Sequence, residues 1–335
     1  MTIQQLLKTA PVTTLLLISF IGLFVMQVLT GVDANNPSTE ALIKWGANAL
    51  PFTMNDEPWR LVSSAFLHIG LMHLLFNGFA MYFFGQIAEP MFGSTKFLAL
   101  FLLSAIGGNL LNTQVTWLSI LDGTGQPGLS AGASGGIMGI GAALLIAALF
   151  KISVNGLMLN LRSLLFIMGI NLVYGFAVPG IDNAGHIGGA ITGLVIALAF
   201  AIAYRQRMAG IILAQQNIPT THPPYRINEP SPYNTHDQDT YQTRYIDQSS
   251  SADMSYSTSN HADFDNIDSE NNTSVNSDIS INTAHANTTK QKTSDKSSFI
   301  WRLLPWAVML LIGIGFVWWW QDIHHQLMQI LKTIE

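Results

Sequence analysis

The sequence predicts an all-α polytopic membrane protein, and its composition and the length of its apolar runs carry that prediction. Hydrophobic residues make up 49% of the 335 residues and charged residues only 10%, against about a quarter charged in soluble domains. Runs of apolar residues recur at the length of about 20 residues that crosses a bilayer as a helix. Six runs precede residue 208 and one follows residue 298, so we expect a six-helix transmembrane core plus a C-terminal seventh transmembrane helix.

The predicted spans are separated by segments of different character. Residues 30–59 mix charged and apolar residues and are expected to form a partly structured external loop. A loop rich in Gly, Thr and Ser covers residues 112–129 and leads into the fourth span. The spans are predicted at about residues 12–29, 60–87, 96–111, 134–150, 163–178, 183–204 and 299–320.

The chain is predicted to divide into three parts. Residues 1–208 form the six-helix domain, residues 209–298 a polar cytoplasmic linker, and residues 299–335 the seventh helix with a short tail. The linker is too poor in apolar residues to bury a core, so we expect it to be disordered. Tryptophans near the ends of the seventh run suit a membrane interface. Three roles are open for this helix: a tether, a contact that makes a homo-oligomer, or presentation of substrate.

Composition also excludes several classes of site. The chain has no cysteine, so it has no disulfide, thiolate metal site or cysteine nucleophile. A formal net charge of −5 argues against a nucleic-acid partner. We find no nucleotide-binding or metal-binding motif, and therefore expect no cofactor and no metal. The expected surroundings are the lipid bilayer.

Positive charge predicts the orientation, because Lys and Arg collect on the cytoplasmic side. Lys44 and Arg60 lie on one side of the six predicted spans. The residues on the other side are Lys8, Lys96, Lys151, Arg162, Arg205 and Arg207. The amino terminus is therefore expected in the cytoplasm, and the fourth and sixth spans begin outside. This topology suits a bacterial inner (cell) membrane.

A candidate nucleophile lies where the fourth span begins, in Gly132-Ala133-Ser134-Gly135. Small residues let the backbone approach whatever the serine touches, and the turn offers a backbone N–H beside it. Acyl transfer needs both an exposed nucleophile and an oxyanion donor. The alternative is that this stretch is a helix-packing motif, since Gly, Ala and Ser are common at membrane helix contacts.

A candidate general base lies near the start of the sixth span. His186 shares one helix face with Gly189 and Gly193, at spacings of three and seven residues. Glycine faces let two helices approach closely, and both helices begin on the same side, so His186 and Ser134 are expected at matching depth. His186 would then reach the serine hydroxyl as general base. The alternative is a buried imidazole bonded to a carbonyl group.

Polar groups in the second span complete the candidate site. His73 and Asn77 are four residues apart, so they share a helix face and can both donate hydrogen bonds to an oxyanion. Polar packing between helices is the alternative. His68 falls on a different face from His73, so a metal site formed by these two is not expected. Asp182, four residues before His186, is expected to be simply solvated.

Taken together, these motifs resemble the rhomboid intramembrane serine proteases, over roughly residues 12–204. The motifs that carry the resemblance are Trp59-Arg60, His73-Leu-Leu-Phe-Asn77, Phe84-Gly85, Glu89, Phe92-Gly93, Gly132-Ala-Ser-Gly135 and Gly185-His-Ile-Gly-Gly189. The resemblance implies a Ser134–His186 catalytic dyad in a water-filled cavity that opens to the outside. It also implies an oxyanion hole formed by His73, Asn77 and the Ser134 N–H.

The resemblance assigns two further residues to a substrate gate. Phe76 would line the entrance, and Met138 stands where an aromatic side chain often packs on the catalytic imidazole. A thioether also packs well on an aromatic ring. Trp59, Arg60 and Glu89 are expected to be structural.

The predicted function is that of an intramembrane serine endopeptidase that hydrolyses transmembrane segments of membrane proteins. The alternative is a catalytically silent binder or chaperone of membrane helices, against which an intact serine and histidine argue. A small transporter is disfavoured because the sequence has no internal repeat.

Overall fold

The computed structural model describes residues 3–125, 128–152, 159–177, 181–216 and 295–334. Within these ranges the chain is almost entirely helical, with one short antiparallel ladder. The helices are α1 (Ile3–Thr9), α2 (Pro11–Leu29), α3 (Thr39–Trp45), α4 (Leu50–Thr53), α5 (Arg60–Ser63), α6 (Leu71–Phe92), α7 (Ser94–Leu121), α8 (Ser134–Leu149), α9 (Leu161–Ala177), α10 (Asn183–Gln216) and α11 (Asp295–Ile334); the strands are β1 (Asn48–Ala49) and β2 (Leu129–Ser130).

The described helices confirm an all-α polytopic membrane fold. Five of them are long and apolar enough to cross a membrane: α2, α6, α7, α10 and α11. The fourth and fifth predicted spans correspond to shorter helices, α8 with 16 residues and α9 with 17. Each of the seven predicted spans therefore has one helix.

Several boundaries differ from the predicted ones, most of all in the seventh helix, which continues past residue 320 to Ile334. The second span begins at Leu71 and not near residue 60, because Gly70 adopts φ +92° and its left-handed backbone breaks the helix there. The third extends past residue 111 to Leu121, and the sixth past residue 204 to Gln216. In these last two helices, the helical hydrogen bonds continue past the predicted end of the apolar run through segments that contain polar residues.

The centre of the bundle is formed by α7, α8 and α10. α8 is buried on nearly all sides, as expected of a helix that is apolar all round. A Cβ built on Gly189 would overlap the Gly135 carbonyl oxygen, and one on Gly193 would overlap that of Gly139. Both pairs advance by four residues, so α8 and α10 run parallel and begin at the same end of the bundle, which we call the serine end.

Two buried charged residues, Glu89 and Arg60, join elements outside the central three helices. The carboxylate of Glu89 on α6 accepts hydrogen bonds from the backbone N–H groups of Val12 and Thr13, at 2.9 and 2.7 Å, and so caps the start of α2. Arg60 donates to the carbonyl oxygens of Ile43 and Ala47 and pairs with Glu57. The predicted external loop therefore has an ordered structure, and the Arg60 side chain helps to hold it by bonding α5 to α3.

The seventh helix, α11, belongs to the same compact unit as the first ten helices. It packs on α7 and α10. The linker predicted over residues 209–298 lies mostly outside the described residues, since α10 ends at Gln216 and α11 begins at Asp295. Its disorder and the domain boundaries stay predictions.

Candidate active site

The serine turn is held in place by its own backbone. Gly132 has φ +146° and donates its N–H to the carbonyl oxygen of Ser64 at 2.9 Å. A Cβ built on Gly132 would lie only 2.7 Å from Cε1 of His73. Only glycine fits this combination of conformation and contact. The turn therefore lies directly against the His73 ring, and Ser134 follows as the first residue of α8, half-buried.

The β1–β2 ladder fixes the segment that leads into this turn. Asn48 pairs with Ser130 and Ala49 with Leu129. Asn48 is buried and donates from Nδ2 to the Asn109 carbonyl oxygen at 3.3 Å. Hydrogen bonds thus join the loop of residues 30–59 both to the segment that leads into the serine turn and to α7.

His186 lies one turn into α10, at the serine end. Its ring is half-buried, and Nδ1 is buried with no hydrogen-bond partner in the described part of the chain. The carbonyl oxygen of Gly185 lies 3.3 Å from a Cβ built on Gly135. The residues adjacent to Ser134 and His186 are therefore in backbone contact. Among the described residues no hydrogen bond joins the Ser134 hydroxyl to the His186 ring, so the dyad bond stays a prediction.

The two candidate oxyanion donors are placed differently. Nδ1 of His73 accepts a hydrogen bond from the Ile69 N–H at 3.2 Å. A neutral imidazole that accepts at Nδ1 carries its proton on Nε2, and Nε2 is on the side of the ring near Gly132. Asn77 is buried and donates from Nδ2 to the His73 carbonyl oxygen at 3.1 Å, which leaves its second amide hydrogen available. The structure thus brings His73 to the serine turn, with Asn77 one helical turn away.

The two predicted gate residues lie in contrasting surroundings. Phe76 is 60% exposed on the outside of α6. Met138 is buried in the main hydrophobic cluster, one helical turn after Ser134. Their assignment to a substrate gate stays a prediction.

His68 is almost fully buried beside His73, and the two rings meet edge to face with centroids 5.4 Å apart. Its other aromatic neighbour is Phe20, at 5.2 Å. Within the described ranges no three His, Asp or Glu side chains come together as a metal site would require. His68 is therefore part of the aromatic packing behind His73.

The expectation that Asp182 is simply solvated is wrong. Its Oδ1 accepts hydrogen bonds from the Gly185 N–H at 2.7 Å and from Asn112 Nδ2 at 2.9 Å, and its Oδ2 accepts from Ser130 Oγ at 2.6 Å. Asp182 is the N-cap of α10, because its carboxylate satisfies an N–H that the first helical turn leaves free. An aspartate immediately before a predicted helix was the signal for the cap. Ser130 and Asn112 carried no such signal.

Comparison with known proteins assigns the chain to a family. Residues 55–203 match the Rhomboid domain. The chain belongs to the rhomboid family. This matched region contains every candidate site residue described above, while α11 lies outside it. The rhomboid domain and its apolar helices make this an integral multi-pass membrane protein.

Several curated rhomboid relatives are similar to this chain over part of their length. The Rhomboid protease GluP of Bacillus subtilis is 37% identical over 201 residues, which are 58% of this chain and 37% of the relative. RHOMBOID-like protein 6, mitochondrial, of Arabidopsis thaliana is 34% identical over 162 residues, covering 48% of this chain and 50% of the relative. The Rhomboid protease AarA of Providencia stuartii is 32% identical over 189 residues, covering 51% and 66%. The chain thus spans about half or less of the length of the first two of these relatives.

Proposed function

We propose that this rhomboid is an intramembrane serine endopeptidase that cleaves transmembrane segments of other membrane proteins. One observation carries the proposal. The turn before Ser134 packs on the ring of His73, and the residue after Ser134 packs on the backbone of the helix that carries His186. These contacts support a site in which α8 supplies the nucleophile, α10 the base and α6 an oxyanion donor.

Ser134 is the nucleophile in this proposal and His186 is its general base. Catalytic hydrogen bonds are often long before substrate binds, and the backbone contact between Gly135 and Gly185 brings together the parts of α8 and α10 that carry these residues. Since Nδ1 of His186 is buried, Nε2 is the nitrogen that exchanges the proton. The serine oxygen attacks a peptide carbonyl while Nε2 takes its proton, and the C–N bond breaks as Nε2 returns the proton to the leaving amine.

Three donors would stabilise the oxyanion. The Ser134 N–H is the first of α8 and has no intrahelical partner, and the positive end of the helix dipole lies at the same point. The Nε2–H of His73 and the second amide hydrogen of Asn77 supply the others. Water then hydrolyses the acyl-enzyme, with His186 acting again as base.

The proposed placement follows from the positive-inside pattern of the sequence. The serine end would face outward from a bacterial inner membrane, with the amino terminus in the cytoplasm. Water would reach the site from that side. A helical peptide bond is covered by its own hydrogen bonds, so substrates are expected to carry helix-weakening Gly or Pro near the cleavage site.

The test is cleavage of a single-span membrane substrate by the purified protein in detergent. Ser134→Ala and His186→Ala are expected to abolish cleavage. Ser119→Ala and His325→Ala, which remove a serine on α7 and an exposed histidine on α11, should cleave as the wild type does.

Two outcomes would contradict the proposal. The first is that the wild type cleaves none of several helix-weakened substrates. The second is that Ser134→Ala cleaves as well as the wild type. The first result would favour the helix-binding alternative, and the second would show that Ser134 is not the nucleophile.

A further inference from the structure

The seventh helix is fastened to the rest of the bundle by polar contacts at the serine end. Hydrogen bonds there join side chains of α11 to α7 and to the end of α4. They are Trp319 Nε1 to Gln114 Oε1 (2.9 Å), Trp320 Nε1 to the Thr53 carbonyl oxygen (2.9 Å), and Trp117 Nε1 to Gln326 Oε1 (2.9 Å). His324 Nδ1 lies 2.5 Å from the Met54 carbonyl oxygen, which accepts when Nδ1 carries the proton.

These contacts enclose a second hydrophobic cluster. Ile323 of α11 is fully buried, between the bonded residues Trp320 and His324. Its cluster combines four parts of the chain: the loop of residues 30–59, α5, α7 and α11. The buried members are Leu50, Met54, Leu61, Leu110, Trp117 and Ile323. Without α11 this cluster would be open on one side.

The two loop carbonyl groups that α11 binds are ones that need a partner. Thr53 is the last residue of α4 and Met54 is its C-cap. The last carbonyl groups of a helix have no intrahelical donor, so Trp320 and His324 supply what the short helix lacks. The stacking of these two rings, with centroids 5.1 Å apart and planes 12° apart, keeps both donors aimed at α4.

A short path of peptide bonds and ladder hydrogen bonds leads from α4 to the serine turn. α4 follows β1 directly, and β1 is hydrogen-bonded to β2, which is separated from Ser134 by three residues. On the opposite face of α11, Leu310, Ile314 and Trp318 are largely exposed, and none of them makes such a contact with the described residues. A helix that served only as a tether would not require one face built in this way.

We propose that the serine end of α11 is a positioning element for catalysis: Trp320 and His324 fix α4, and α4 fixes the β1–β2 ladder that sets the serine turn. This role lies outside the matched rhomboid domain. Its activity readout rests on the proposed protease function, so the test also needs a readout that does not.

The first measurement follows the reactivity of a single buried cysteine in the full chain. The protein has no native cysteine, so Ala49→Cys, at a site 4% exposed in β1, gives no background. Adding Trp320→Ala and His324→Ala should raise its maleimide labelling rate roughly tenfold, since each lost hydrogen bond weakens the closed state by up to about one order of magnitude. Trp318→Ala is the matched control, because Trp318 is 71% exposed, and should leave the rate unchanged. Asn36→Cys, on an exposed part of the same loop, should label equally in all backgrounds.

The second measurement is cleavage kinetics in the chain without added cysteine. The Trp320→Ala, His324→Ala double variant should lose about 10- to 100-fold in kcat, with KM nearly unchanged, since a small misplacement of the nucleophile is enough for this. His324→Asn keeps a donor near the Nδ1 position and should restore most of what His324→Ala loses.

If the Ala49→Cys chain labels at the same rate with and without Trp320 and His324, the proposal is overturned, even if the protein is an active protease. Faster labelling with unchanged kcat also overturns it, because α11 would then be structural only. If the wild type cleaves nothing, the protease function fails by itself, and the labelling experiment still decides whether α11 positions the ladder.

Discussion

Ser130 Oγ donates a hydrogen bond to Asp182 Oδ2 at 2.6 Å. This bond joins the strand that leads to Ser134 directly to the cap of the helix that carries His186. Ser134 and His186 are therefore linked through polar groups before α8 and α10 begin, and through the glycine contacts along the two helices. Both connections can be tested separately.

Replacement of Asp182 by alanine removes the cap and the bond to Ser130 together. We expect Asp182→Ala to lower the free energy of unfolding by about 1 kcal/mol, the usual effect of losing an N-cap. We also expect kcat to fall by more than this small loss of stability would cause, because α10 loses its hydrogen bond to β2. Asp182→Asn, which can still cap α10, should keep most of the stability. Thermal unfolding and kcat measured on the same preparations check this, and wild-type kcat in Asp182→Ala would contradict it.

The contact between α8 and α10 predicts the effect of Gly189→Ala. The added methyl would overlap the Gly135 carbonyl oxygen, and the helices must separate to make room. We expect a loss of about 1–3 kcal/mol, typical of overpacked cores, and loss of cleavage. Gly210→Ala lies on the same helix with nothing near its Cβ and should be neutral or stabilising by up to about 1 kcal/mol. The prediction is wrong if the two variants unfold at the same temperature.

The backbone of the serine turn predicts the effect of Gly132→Ala. Alanine at φ +146° is strained, and its Cβ would press on the His73 ring. We expect the variant to fold but to lose cleavage by about 100-fold or more, the scale of removing one oxyanion donor. Gly128→Ala, whose Cβ would meet open space, is the control in the same loop. A fluorophosphonate probe of Ser134 reactivity would separate a displaced nucleophile from a displaced His73.

The junction of α2 and α6 predicts a stability effect without a catalytic one. Glu89 is 1% exposed and accepts from Val12, Thr13 and Ser94. Glu89→Gln places an amide N–H against these donors, and we expect a loss of about 3 kcal/mol. Glu40→Gln, at an exposed position of α3, should change stability by less than about 0.5 kcal/mol. Thermal unfolding in detergent measures both, and equal melting temperatures would exclude the proposed capping role of Glu89.

Much of the fold follows from the sequence because apolar runs must cross the bilayer in order. That requirement sets the number of spans and places the starts of α8 and α10 at one end. It does not predict bonds between residues far apart in the chain, such as Ser130 with Asp182. Sequence reasoning also fails for residues that serve two purposes. Trp319 and Trp320 have the composition of an interfacial belt, yet their N–H groups bind Gln114 and Thr53.

The glycine contact between α8 and α10 consists of main-chain atoms, which have no rotamers. Its formation costs no side-chain entropy, and its spacing is fixed by covalent geometry instead of by a choice of side chain. Outward-facing residues of the same helix, such as Ile191 and Val195, take no part in it. Such residues can therefore be substituted to suit membranes of different lipid composition without changing the distance between the two helices.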